Sequence, residues 1–110
     1  MIDWDRVHEL RSEVGAEDFA DVVELFLAEV DEVAGRLGQA PGPDTLQNEL
    51  HFIKGSAYNL GFDRLGILCA AGERMAAEGN ASRVDVGAII DCYAESRSLF
   101  VDGLRSLPVN

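Results

Sequence analysis

Leu46-Gln47-Asn48-Glu49-Leu50-His51-Phe52-Ile53-Lys54-Gly55-Ser56-Ala57-Tyr58-Asn59-Leu60-Gly61 carries apolar residues at 46, 50, 53, 57 and 60, alternating steps of four and three. That alternation is the buried stripe of an α-helix. At about 100° per residue, the stripe stays within roughly 40° of its mean direction, while His51 points about 140° away from it. The pattern therefore predicts a core helix with an imidazole standing in solvent. Asp44 is expected to cap it, paired with Gln47 three residues on, so that the helix runs from about Thr45 to Leu60 and ends at Gly61.

Outward from this segment the helical period continues in both directions. Toward the amino terminus, Gly38 and Pro41-Gly42-Pro43 break the chain, because proline has no backbone N–H to donate and glycine costs backbone entropy. Before that break, Phe19, Val22, Val23, Phe26, Val30, Val33 and Leu37 mark a long helix from about Glu17 to Leu37. A short one from Asp3 to about Glu13 precedes it and stops at Gly15. Beyond Gly61, Asp63 is placed to cap a helix whose inner side carries Leu65, Leu68, Cys69, Gly72, Met75 and Ala76, small residues that suit close helix contact. Gly79-Asn80 ends it. A last helix is expected from about Arg83 to Leu107, stopping before Pro108, with Val86, Ile89, Ile90, Tyr93, Phe100, Leu104 and Leu107 inward. No sustained period-two alternation and no hairpin signal is present. The fold class is thus all-α, an antiparallel up-down four-helix bundle with a short additional N-terminal helix, formed as one domain over residues 1–110.

Composition agrees with a globular chain: 47% hydrophobic, 26% charged, 110 residues, enough to bury a single core. The formal net charge of −11 repels phosphate backbones and anionic headgroups, which argues against nucleic acid or a membrane surface as partner. No apolar run reaches a bilayer span and the first residues lack a signal-peptide pattern, so a cytoplasmic location is expected. In that setting Cys69 and Cys92 read as reduced core thiols.

Around His51, the helix wheel gathers Gln47, Lys54, Gly55 and Tyr58 within about 60°. An ammonium three residues away can balance part of a phosphoryl dianion attached to the ring. It also favours the neutral imidazole, whose free nitrogen keeps the lone pair that attack requires. Gly55 costs roughly 1 kcal/mol against alanine inside a helix; clearing space for a bulky partner is one reason for it, helix packing another. On the local pattern alone, an exposed histidine beside a lysine is also compatible with ordinary solvated surface.

His51-Phe52-Ile53-Lys54-Gly55-Ser56-Ala57 with Asn59-Leu60-Gly61 resembles the signature of histidine phosphotransfer (HPt) domains, intermediates of two-component phosphorelays. The resemblance extends to Gly15 through Phe19 leading into Leu25-Phe26-Leu27, and to Leu65 through Glu73 to Gly79. It implies that His51 accepts a phosphoryl group from the aspartyl phosphate of a response-regulator receiver domain, free-standing or within a hybrid histidine kinase, and passes it to another receiver. It further implies that Lys54 supplies phosphate-stabilising charge and Gly55 steric clearance. Gln47 is placed to hydrogen-bond the phosphoryl group or the ring. Phe52 and Tyr58 depart from the commonest pattern. Both are candidate partner contacts, although for Phe52 packing against the short first helix is the favoured expectation.

No Gly-x-x-x-x-Gly-Lys-Ser/Thr loop occurs, so the chain is expected to be a phosphocarrier without its own ATP site. No cofactor is expected on this chain; the Mg²⁺ of the reaction belongs to the partner receiver. A metal-binding bundle would need two Glu-x-x-His motifs, whereas only His8 and His51 occur, and Asp5-x-x-His8 is a partial match, so no metal site is expected. The competing reading from another class is a helical interaction module that binds a signalling partner without transfer.

Overall fold

The computed structural model describes residues 1–106, which form five α-helices and no strand. Helix α1 spans Trp4–Val14, α2 Ala16–Leu37, α3 Pro43–Leu60, α4 Asp63–Ala77 and α5 Val86–Leu104, with a short 3₁₀ turn at Ala81–Arg83 between the last two. Helices α2 to α5 each pack on two neighbours in cyclic order, and α1 lies across α2 and α3. The result is a four-helix bundle of 47 × 21 × 21 Å with one extra helix, the expected architecture.

Each helix buries an apolar stripe at the helical period, although in α2 the expected Val22 and Phe26 are only half-buried and Leu27 is buried instead. In α2 the buried residues are Phe19, Val23, Leu27, Val30, Val33 and Leu37; in α3 they are Leu46, Leu50, Ile53, Ser56, Ala57 and Leu60. The bundle centre is aromatic at the α1 end. Phe62 and Phe100 are fully buried and meet edge to face at 5.1 Å, while Trp4 stacks on Phe100 from α1 at 6.1 Å between centroids. Between α2 and α5, Arg97 donates from Nε and Nη2 to the two Asp31 carboxylate oxygens at 3.1 and 3.2 Å, and the Tyr93 hydroxyl donates to Oδ1 at 2.5 Å. Burial and the Asp31 charge push the Tyr93 hydroxyl well above its ordinary pKa.

The helix starts differ from expectation in three places. Helix α3 begins at Pro43 with Gly42 as N-cap, and no side chain caps it. Proline at the first helical position loses no hydrogen bond and has its φ preset, so Asp44 falls inside the first turn, where it complements the helix dipole instead of pairing with Gln47. Helix α4 begins at Asp63 itself, after Phe62. Burial of Phe62 fixes the chain there, and the Asp63 carboxylate accepts from the Arg64 N–H at 2.7 Å. Helix α5 starts at Val86, not Arg83, because Asp85 caps it by accepting from the Ala88 N–H at 2.9 Å. It ends at Leu104, with Arg105 as C-cap and Ser106 in a turn, short of the expected Leu107, which itself lies outside the described residues.

The α3–α4 junction sets the site's geometry. Gly61 adopts the left-handed conformation, φ +83°, and its N–H bonds to the Ala57 carbonyl. The Asp3 N–H donates to the Gly61 carbonyl at 2.7 Å. A side chain at 61 has no room, since a Cβ would stand 2.6 Å from the Asp3 carbonyl oxygen. With only Gly61 and Phe62 between them, α3 and α4 run back along each other. Small residues on α4 let them close up: a Cβ at Gly72 would lie 3.0 Å from Leu50 Cδ1. Cys69, on the same face, is fully buried and free; Cys92, also free, is buried at 6% exposure. Desolvation first, then the neighbouring Cys92 and Glu73, push the Cys69 thiol up to about 12.

Candidate functional site

His51 stands on the outer face of α3 with 70% of its side chain exposed. Its ring is nevertheless held. Nδ1 lies 2.9 Å from Oε1 of Glu73 on α4, and the other carboxylate oxygen, Oε2, lies 2.9 Å from Lys54 Nζ. Glu73 is 20% exposed, and its Oε2 is shut off from solvent, with the Lys54 ammonium as its counter-charge there among the described residues. Lys54 first, and the imidazole after it, hold the Glu73 carboxyl below the usual carboxylate range against the opposing effect of burial.

An ionised carboxylate can only accept. The proton on the bond between His51 and Glu73 therefore sits on Nδ1, and in the neutral imidazole the lone pair is left on Nε2. Glu73 fixes both ring orientation and tautomer, as second partners of reactive histidines do. Lys54, which the spacing placed beside the ring, instead points its charge at Glu73.

Gly55, one turn on from His51, has open space around it: a Cβ there would meet nothing within 4 Å. Internal packing does not explain this glycine. Gln47 lies on the same face, half-buried, but the imidazole's hydrogen bond goes to Glu73. Tyr58 is 48% exposed. One face of its ring is seated on Gly66 of α4, where a Cβ would stand 2.4 Å from Cε1, so it presents a fixed aromatic surface near the histidine. Phe52 is 38% exposed and lines a cleft with α2 rather than with the expected α1. A turn of about 100° from His51 carries it to the α2 side, where it borders a cleft with Val33 and Glu29 of α2.

Glu73 is the site residue that the motif around His51 does not contain. Its signal was present in α4: about 40° from Cys69 on the wheel, it is a carboxylate on the inner stripe, where an unpaired charge is costly.

The site is thus an exposed, oriented imidazole on the outer face of a helical bundle, joined through Glu73 to an ammonium. The family model of the Hpt domain matches residues 21–99, and the chain belongs to the Hpt domain family. Members are histidine phosphotransfer modules of phosphorelays that interact with response-regulator receivers and act as phosphocarriers rather than catalysts. No curated protein and no solved structure matches the chain. Among the described residues, no helix is long and apolar enough to cross a membrane.

Proposed function

We propose that His51 is the phosphoryl acceptor and that it relays the group between receiver domains. Nε2 attacks the phosphorus of a receiver's aspartyl phosphate; the Nε2–P bond forms as the P–O bond to the aspartate breaks, and the carboxylate leaves. The reverse displacement on a second receiver's aspartate regenerates the imidazole. Glu73 keeps the proton on Nδ1 throughout and offsets the positive charge that develops on the ring. Lys54 turns from Glu73 toward the phosphoryl oxygens, Gln47 offers them a hydrogen bond, and Gly55 leaves clearance for the receiver's loops. Phe52 and Tyr58 contact the receiver on either side of the histidine. The receiver supplies the Mg²⁺ that neutralises transferring charge; this chain needs neither a cofactor nor an ATP site of its own.

The observation that carries this reading is the bond from His51 to Glu73, which leaves Nε2 of an exposed histidine as the free nucleophile. Incubation with a phosphorylated receiver domain is expected to give an acid-labile, base-stable adduct that His51→Gln abolishes. Label retained in that variant would overturn the assignment. Binding of the receiver with no label at all would favour the non-transferring interaction module.

A further inference from the structure

Next to His51, on the side opposite Lys54, α2 and α3 enclose a cleft of about 430 Å³ bordered by Glu29, Glu32, Val33 and Arg36 from α2 and by Glu49 and Phe52 from α3. Its charges do not balance. Arg36 is the one cation among three carboxylates, and it is shared: Nε donates to Glu49 Oε1 at 3.1 Å and Nη1 to Glu32 Oε1 at 3.1 Å. Glu49 is only 11% exposed, and its other oxygen, Oε2, is buried without a hydrogen-bond donor. Glu29 forms no ion pair among the described residues. The cleft thus carries more carboxylate than cation, and it also offers the exposed face of Phe52.

We propose that this cleft receives an arginine side chain of the docking receiver domain; the partner's identity rests on the phosphorelay reading above. A guanidinium fits each feature. It is weakly hydrated, donates through a planar fork to carboxylates on two sides, and stacks on an aromatic ring, whereas an ammonium is a compact, strongly hydrated charge. Because the cleft adjoins His51 within one helical turn, a domain that brings an aspartate to Nε2 covers it. The contact fixes which receivers dock rather than how the phosphoryl group moves, as charge complementarity at interfaces does.

Two measurements test this. Titration of ¹⁵N-labelled protein with N-acetyl-L-arginine amide is expected to give saturable shifts at the Glu49 and Phe52 amides, larger than those from the lysine analogue and lost in Glu29→Lys. In phosphotransfer from receiver domains, Glu29→Lys is expected to raise KM about tenfold, with the loss in KM and not in kcat. Shifts that are absent, or equal for the lysine analogue, would overturn the arginine assignment. An unchanged KM while His51 is still labelled would overturn it as well. If the arginine probe binds but no receiver labels His51, the relay reading fails together with the partner assignment, while the cleft's arginine chemistry stands.

Discussion

His51 and Glu73, 22 residues apart and on different helices, meet at 2.9 Å between Nδ1 and Oε1. The contact depends on the closeness of α3 and α4, hence on the two-residue connection through Gly61-Phe62 and on the small residues of α4. Fold and chemistry join at that point, because the packing that buries Cys69 and Gly72 carries the Glu73 carboxylate, one turn further along α4, out to the edge where the imidazole stands.

Lys54→Ala is expected to act on both stability and chemistry. It strips the ion pair from a mostly buried carboxylate, at a cost of about 1–2 kcal/mol, read as a lower urea midpoint with the helical signal intact. Transfer to His51 slows, or the phosphorylated form shortens in lifetime, by about tenfold. Equal rates and lifetimes in variant and parent would remove the electrostatic role.

Acid weakens the Glu73 network in a defined direction. Its folded-state pKa lies below the ordinary value, so at moderately acid pH the unfolded chain binds more protons at this position than the folded one, and stability rises with pH. The contribution is complete above the unfolded glutamate pKa of about 4.3 and is lost as pH falls through the depressed folded value. Urea midpoints measured from pH 6 to 3 are therefore expected to fall more steeply in the parent than in Glu73→Gln; parallel curves would show that the bonds to Lys54 and His51 contribute nothing.

Two glycines are expected to respond oppositely. Gly55→Ala meets open space and gains helix propensity, raising stability by about 1 kcal/mol, whereas Gly55→Trp slows phosphotransfer from a receiver by obstructing its approach. Gly61→Ala places a Cβ against the Asp3 carbonyl in a left-handed conformation, which costs at least about 1–2 kcal/mol. Denaturant midpoints check both signs, and a stabilised Gly61→Ala would contradict the junction as described.

The order and number of helices were legible because five apolar stripes at the helical period were separated by Gly and Pro, and His51's exposure followed from its angle to one of those stripes. Helix starts were less legible. Pro43 at a first helical position competes with Asp44 as a cap, and burial of Phe62 sets where α4 begins; tertiary packing, not the local pattern, decides such cases. The Phe52 environment was misread for the same reason: the helix wheel gives an angle but not which helix lies there. Glu73 could not be paired with His51 from spacing along α3, since its contact crosses between helices. Only its place on an inner stripe marked it.

The most direct test is to locate the phosphoryl group on the ring. Protein labelled with ¹⁵N in its histidines and phosphorylated by a receiver domain is expected to show phosphorus bonded to Nε2 of His51, with Nδ1 still carrying its proton. Phosphorus on Nδ1, or on any residue other than His51, would contradict the arrangement in which Glu73 takes one nitrogen and leaves the other to react.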